Sequence, residues 1–261
     1  MTHVDLFSGI GGFALACREV GLKTICFCES DPFCKTVLKK HWPTIPIIDD
    51  VKQFNGREWR RPTLLTAGFP CQDASIAQTR RERNGVDGER TGLWSELVRV
   101  IGEARPRIAL MENVPMLLNG DNGAWFGRIL RDLAEIGYDA EWHCIPASHV
   151  GAPHQRDRVW IVANPNSERL ERHGEFEKRA GEWFAGKSFQ ESVWPKLDPE
   201  ILRMVDGVSK RVDKRVDKLR SLGNAVCVPL VVQILKNLFY NKTSVTELSA
   251  DTLTNNLKSL G

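Results

Sequence analysis

Short apolar, β-rich runs alternate with amphipathic stretches through the first two-thirds of the chain. Each run is too short for a helix and has the composition that is typical of a strand. Six of them are predicted strands: Val4–Phe7, Thr24–Glu29, Thr63–Ala67, Ile108–Glu112, Glu141–Ile145 and Val159–Ala163. A further β-like stretch covers Ile45–Ile48. Strands that alternate with helices predict an α/β fold built on a mostly parallel sheet.

Apolar residues recur at spacings of three and four between the predicted strands, which is the helical period. Phe13, Ala16, Cys17 and Val20 form one such face, and Gly21 has the position of a C-cap. Further helices are predicted at Leu93–Ala104, at Trp125–Ile136 with Gly137 as its end, and at Val228–Phe239.

The chain becomes polar and rich in charges after Ala163. We predict a catalytic unit from residues 1–163 and 221–240, a separate region at 164–220, and a weakly ordered tail at 241–261. Residues 203–220 contain seven Lys or Arg and three Asp, so they form the most basic segment. The doubled Lys-Arg-Val-Asp unit inside it is also typical of a solvated helix face.

Composition limits the classes of protein that this chain can belong to. Of its 261 residues, 42% are hydrophobic and 26% are charged, which is ordinary globular usage. The net charge of +3 neither requires nor opposes a nucleic-acid partner. The chain lacks a long apolar run and a basic leader, and its seven cysteines lack paired metal-type spacing. We therefore expect a reduced cytoplasmic protein that does not enter a membrane.

The glycine-rich segment from Asp5 to Gly12 follows a strand and opens a helix. Glycines at such a turn let a ligand approach the backbone, and the helix N-terminus offers unpaired N–H groups. Glu29 ends the next strand, 20 residues beyond Gly9, where a carboxylate commonly accepts from ribose hydroxyls. Asp50 could meet an adenine amino group. Dehydrogenases and structural turns use glycines in the same way, but the third glycine of GxGxxG is missing here.

Two strands end in residues with reactive side chains. Cys71 follows Gly68-Phe69-Pro70, at the end of a parallel strand that faces the ligand crevice of an open sheet. Its thiolate would be a nucleophile, although free cysteines are more often small buried hydrophobes. Glu112 ends an apolar strand, where burial would raise its pKa and suit it to proton donation.

Arg156 and Arg158 stand at alternate positions where the last of these strands begins. Side chains at alternate strand positions point the same way, so the pair would suit an anion or a base edge. A surface ion pair with Asp157 is the alternative.

In this order, these motifs resemble the DNA (cytosine-5) methyltransferase family. The blocks that carry the resemblance are Asp5–Gly12, Pro70-Cys71-Gln72 with Ser75, Glu112-Asn113-Val114, Arg156 with Arg158, and Gly223-Asn224-Ala225-Val226. The resemblance implies a Rossmann-like, S-adenosylmethionine-dependent methyltransferase fold with a small target-recognition insert at 164–220. It also implies that double-stranded DNA is the substrate and that no metal takes part.

The resemblance implies a role for each matching residue. Cys71 would attack C6 of a flipped-out cytosine, Glu112 would protonate N3 or bond to it, and Arg156 and Arg158 would hold the base and support the site. Glu29 would bind the ribose and Asp50 the adenine of S-adenosylmethionine. The full set implied for the cofactor is Phe7, Gly9, Ile10, Gly12, Glu29, Asp50, Val51, Gly68, Pro70, Leu93, Asn224, Ala225 and Val226.

The sequence departs from the family at some points and leaves some questions open. His154 stands where the family usually has Gln, and the recognition region is short. A tRNA substrate and a nucleic-acid-binding protein without catalysis remain alternatives. The residues identify neither the target sequence nor the oligomeric state. They also do not distinguish a solitary methylase from one with a cognate restriction endonuclease.

Overall fold

The computed structural model describes residues 1–70, 92–165, 221 and 223–240. These residues contain seven strands: β1 (Thr2–Leu6), β2 (Lys23–Cys28), β3 (Ile47–Ile48), β4 (Leu64–Ala67), β5 (Ile108–Asn113), β6 (Tyr138–Pro146) and β7 (Asp157–Pro165). They form one sheet in the order β3-β2-β1-β4-β5-β7-β6. The strands from β1 to β5 pair in parallel, whereas β7 pairs antiparallel with both β5 and β6. The predicted mostly parallel α/β sheet is confirmed.

Six α-helices connect or follow the described strands: α1 (Gly12–Glu19), α2 (Pro32–His41), α3 (Leu93–Ala104), α4 (Met116–Asn119), α5 (Ala124–Glu135) and α6 (Val228–Phe239). The bounds of α3 and α6 are those predicted. Gly21 and Gly137, with φ of +73° and +78°, follow α1 and α5 as the sequence predicts. Periodicity did not reveal α2, which begins at Pro32 after Asp31, whose carboxylate accepts from Cys34 N at 2.9 Å.

Buried apolar residues cover both faces of the sheet. In β5, Ala109 and Met111 join one buried cluster and Ile108 and Leu110 join another, because successive side chains point to opposite faces. Helices α3 and α5 complete the first cluster. Helices α1 and α6 complete the second, so the end of the described chain packs beside its beginning.

A chain of hydrogen bonds between polar side chains crosses the buried centre of the sheet. His3 on β1 contacts Thr24 on β2 through Nδ1 at 2.9 Å and Thr66 on β4 through Nε2 at 2.7 Å. Thr66 in turn donates to Asp5 at 2.6 Å. Because Thr66 has only one hydroxyl hydrogen, Nε2 of His3 must donate to Thr66 and Nδ1 must accept from Thr24. Burial lowers the pKa of His3 to about 3, so its ring is neutral, and raises the pKa of Asp5 well above its usual range.

The strand ends differ from those predicted where pairing, not hydrophobicity, sets the end. Strands β6 and β7 each run nine residues because they pair with each other from Tyr138–Pro165 to Pro146–Asp157. Strand β3 is only two residues long. Phe7 and Glu29, which were predicted as strand ends, lie just beyond β1 and β2. No helix in the described ranges is long and apolar enough to cross a membrane.

Several predictions fall on residues that the structure does not describe. These are the predictions for Cys71, Ser75, residues 166–220 and the tail from 241 to 261.

Candidate active site

A cavity of about 560 Å³ opens at the carboxyl ends of the parallel strands, where open α/β sheets bind ligands. Its volume lies within the range of small-molecule sites. It brings together all thirteen residues predicted to hold the cofactor: Phe7, Gly9, Ile10, Gly12, Glu29, Asp50, Val51, Gly68, Pro70, Leu93, Asn224, Ala225 and Val226. It also includes Glu112, Arg156 and Arg158. Among the predicted site residues, Cys71 alone lies outside the described part of the chain.

The turn between β1 and α1 forms one wall of the cavity. Phe7, Gly9 and Gly11 have φ of +54°, +54° and +87°, which is the left-handed region that glycine enters most easily. A Cβ on Gly11 would lie 2.6 Å from the ring of Trp42, so this position also lacks room for a side chain. Gly9 lines the cavity and nothing lies within 4 Å of the Cβ that it lacks, so the backbone is open to the cavity at this position.

Glu29 holds this turn from the end of β2. Its Oε2 accepts from Gly9 N at 2.6 Å and its Oε1 accepts from Asp31 N at 2.7 Å. Glu29, which was predicted to bind the ribose, thus already links the glycine turn to the start of α2. Each carboxylate oxygen has a second lone pair, so the group can accept further hydrogen bonds.

The segment before α6 lies against the glycine turn. A Cβ on Gly12 would lie 2.8 Å from the side chain of Val226, so the two stretches are in close contact. Arg156 donates to the Ala225 carbonyl oxygen at 2.8 Å, which ties the same segment to the start of β7. The sequence motif at 223–226 is therefore part of the cavity wall, more than 200 residues after the turn that it contacts.

Glu112 and Arg158 form an ion pair where the neighbouring strands β5 and β7 meet the cavity. Arg158 Nε lies 2.8 Å from Glu112 Oε1, and Glu112 is only 8% exposed. Burial raises the pKa of Glu112, although the charges of Arg158 and Arg156 pull it back. The alternative of an ion pair between Arg158 and Asp157 is wrong, because Arg158 pairs with Glu112 and bonds to Asp157 through that residue's backbone carbonyl.

Arg156 reaches the cavity by a route that strand alternation did not predict. It lies before β7 with φ of +41°, so it is not an extended neighbour of Arg158. Burial, followed by the charge of Arg158, lowers the pKa of Arg156. Both guanidinium groups still line the cavity, and they give this end a positive charge.

Asn113 is a contributor that the sequence reasoning did not assign. It is 3% exposed, and its Nδ2 donates to the Phe69 carbonyl oxygen at 3.1 Å. This bond ties the end of β5 to the segment that leads into Pro70 and Cys71. A carboxamide at the end of an apolar strand was the available signal, because buried polar groups require partners.

Charge is distributed unevenly along the cavity. At one end, Glu29, Asp31, Asp49 and Asp50 follow β2 and β3, and at the other, Arg156 and Arg158 lie beside Glu112 where β5 and β7 meet the cavity. Carboxylates suit hydroxyl and amino donors, while a buried acid between two cations suits an acceptor that gains a proton. The site can therefore bind a polar nucleoside at one end and protonate a ring at the other.

Comparisons with known proteins find similar sequences and a similar fold. The sequence model of the family described as C-5 cytosine-specific DNA methylase matches residues 1–211. The type II methyltransferase M2.BsuMI of Bacillus subtilis is 39% identical over 168 residues, which cover 63% of this chain and 42% of that protein. The type II methyltransferase M.MspI of a Moraxella species is 33% identical over 161 residues, 61% of this chain and 38% of that protein.

A solved structure has the same fold. It is a protein described as a DNA modification methyltransferase encoded within a prophage of E. coli, with a TM-score of 0.55 and 23% identity. The match covers 67% of this chain and 49% of that one. The chain thus spans less than half the length of each of these three proteins.

Proposed function

We propose a function from one established premise: the chain belongs to the C-5 cytosine-specific DNA methylase family. The family resemblance and the methyltransferase fold expected from the sequence are both confirmed. The proposed reaction transfers a methyl group from S-adenosylmethionine to C5 of a cytosine in duplex DNA. The activity, the substrate and the partners are proposals for this chain.

We assign S-adenosylmethionine to the glycine-turn end of the cavity. The fit rests on the bare backbone of the turn, on the carboxylates of Glu29 and Asp50 and on the cavity's volume. Glu29 would accept from the ribose hydroxyls and Asp50 from the adenine amino group, with Val51 and Leu93 packed along the base. The bound cofactor would supply a methyl group made electrophilic by its sulfonium charge.

One observation carries the proposal: a buried carboxyl group paired with Arg158 stands in the same cavity as the glycine turn. Because burial raises the pKa of Glu112, its carboxyl group would take up a proton at a higher pH than an exposed carboxylate and would share that proton with N3 of cytosine. Protonation at N3 makes C6 electrophilic, and Arg158 keeps the carboxyl group in one orientation. A dehydrogenase, the other common user of glycine turns, needs neither group.

Cys71 is the proposed nucleophile. It follows Pro70, which lines the cavity, and Asn113 anchors the preceding carbonyl oxygen. Addition of its thiolate to C6 would turn C5 into an enamine-like carbon that accepts the methyl group. Loss of the C5 proton and release of the thiolate would then restore the aromatic ring.

The target cytosine must leave the duplex because stacking hides its C6. The predicted target-recognition region, 164–220, begins two residues inside β7, so the proposed region is 166–220. Its basic segment, 203–220, would contact phosphates. A cytoplasmic protein of a restriction–modification system, with a cognate endonuclease, would fit the type II relatives by name.

Methyl incorporation tests the proposal. Wild-type protein should transfer labelled methyl groups to duplex DNA and not to tRNA, and Cys71→Ser should lose at least about a thousandfold in rate. Cys144→Ser is the matched control, because Cys144 is a free, exposed thiol on β6. Duplex DNA with 5-fluorocytosine should trap wild-type protein covalently, because the fluorine cannot leave C5 as a proton does.

Three results would contradict the proposal. A Cys71→Ser protein with full activity would remove the nucleophile. Label in tRNA alone would change the substrate class. Wild-type protein that binds DNA but incorporates no label would indicate a binding protein. If the activity is present, bisulfite sequencing of DNA from expressing cells would identify the methylated sequence.

A further inference from the structure

A single arginine on α3 holds the segment that forms the Asp50–Val51 wall of the cavity. Arg99 Nη2 donates to the Val51 carbonyl oxygen at 2.9 Å, and its Nη1 donates to the Phe54 carbonyl oxygen at 2.9 Å. The two carbonyl groups bracket the short 3₁₀ turn Val51–Gln53. The planar guanidinium group thus spans the whole turn from behind the cavity.

Two glutamates on the same helix hold Arg99 in this position. Glu96 Oε2 accepts from Nε at 2.8 Å and Glu103 Oε2 accepts from Nη1 at 3.0 Å. The same oxygen of Glu103 accepts from Gly56 N at 2.9 Å, just after the turn. A Cβ on Gly56 would lie 2.8 Å from the Cβ of Glu103, so the chain here lies directly on α3.

The bonds within the turn link only neighbouring residues. Gln53 N donates to the Asp50 carbonyl oxygen, Phe54 N to the Val51 carbonyl oxygen and Lys52 N to the Asp50 carboxylate. Val51 and Phe54 are buried, but apolar packing does not set the direction in which the Asp50 carboxylate points. The bond from Lys52 N sets that direction relative to the turn, and the hydrogen bonds from Arg99 hold the turn itself against α3.

We propose that Arg99 is a positioning residue for the cofactor, which it never touches: it fixes the Asp50–Val51 wall against which the adenine base binds. The inference rests on the proposed function. Lysine cannot replace arginine here, because one ammonium group cannot reach two carbonyl oxygens and two carboxylates in a fixed plane.

Cofactor binding and catalysis, measured separately, test this role. Arg99→Met should raise the Kd for S-adenosylhomocysteine and the KM for S-adenosylmethionine about tenfold, the equivalent of one lost charged hydrogen bond. The kcat at saturating cofactor and the KM for DNA should stay within about twofold. Arg99→Lys should show a smaller rise in the same direction.

Two further measurements separate positioning from loss of structure. Hydrogen exchange at the Phe54 amide should be faster in Arg99→Lys, while exchange in β5 stays as in the wild type. Arg18→Met is the control, because Arg18 is exposed and pairs with its neighbour Glu19 at 3.8 Å. It should bind S-adenosylhomocysteine as the wild type does.

The outcomes are distinct. If wild-type protein binds S-adenosylhomocysteine and both Arg99 variants bind it equally well, the positioning role is wrong and the proposed function stands. If the variants lose kcat with an unchanged KM for S-adenosylmethionine, Arg99 supports the fold alone and the inference is also wrong. Wild-type protein that binds no S-adenosylhomocysteine would overturn the proposed function, and the inference with it.

Discussion

The two ends of the cavity are built from different parts of the chain's chemistry. At the glycine-turn end, backbone N–H groups and left-handed glycines form the wall, and Glu29 bonds to the backbone N–H groups of Gly9 and Asp31. At the other end, Glu112, Arg156 and Arg158 face one another, and the key contact joins two charged side chains.

This difference determines how each end fails. A backbone wall depends on room and on φ, so its sensitive positions are glycines, where an added methyl group is the damaging change. A charged pair in a buried place depends on the charge of each partner, so its sensitive variable is protonation. We therefore expect substitutions at the glycine-turn end to lower the free energy of unfolding. Substitutions at the charged end should change the reaction rate and the dependence on pH.

The largest expected effect is at the charged end. Arg158→Met removes the cation that pairs with the buried Glu112 and should lower kcat for methyl transfer at least about a hundredfold. Arg158→Lys keeps the charge and should retain more activity than the Met variant. The control is Arg131→Met on α5, which is exposed and lies outside the cavity lining. Near-normal kcat in Arg158→Met would show that the pair has no catalytic role.

The second prediction sharpens the comparison within the glycine wall. Gly11→Ala should lower the free energy of unfolding by about 3 kcal/mol, because φ is +87° and the new Cβ would meet Trp42 at 2.6 Å. Gly9→Ala should lower it by about 1 kcal/mol, since nothing lies within 4 Å of its Cβ and only φ is strained. Urea unfolding measures both, and equal losses would show that steric contact does not distinguish the two positions.

The smallest effect is a slope with pH. Because burial raises the pKa of Glu112 in the folded state, its contribution to stability is fully present below its ordinary value of 4.5 and is lost as pH rises through the folded pKa. Glu112→Gln cannot ionise. The free energy of unfolding of this variant minus that of the wild type should therefore increase as pH rises above 4.5, by at most about 1.4 kcal/mol per pH unit. A difference that shrinks with rising pH would contradict the raised pKa.

Sequence patterns predicted the elements that hydrophobic burial dictates. The bounds of α3 and α6 and the presence of the six long strands follow from apolar periodicity. The lengths of β6 and β7 do not, because those strands extend through polar residues that only mutual pairing supports. Helix α2 also escaped notice, since a capping carboxylate and a proline define its start more clearly than its apolar face does.

The cavity's membership was predictable, whereas its internal contacts were not. The thirteen proposed cofactor residues line one cavity, and they could be predicted because strand ends and family motifs identify them in the sequence. No spacing rule pairs Glu112 with Arg158 instead of Asp157 with Arg158. The same holds for Arg99, which reads in the sequence as an ordinary helix-surface arginine with i−3 and i+4 acidic partners. The first contact depends on the register of β5 against β7, and the Arg99 contacts depend on which turn the fold places against α3.

The hydrogen-bonded series from Thr24 through His3 and Thr66 to Asp5 has a consequence for how the sheet assembles. Strands with only aliphatic side chains can pair in several registers at similar energy. A hydrogen-bond donor in one strand and its acceptor in the next can meet in only one register. A shift of β1 by one residue relative to β2 and β4 would turn His3 and Asp5 to the opposite face of the sheet. Thr24 and Thr66 would then lose these hydrogen-bond partners. These buried hydrogen bonds therefore favour the observed register of β1, β2 and β4, which brings the loops after β1 and β2 together at the cavity.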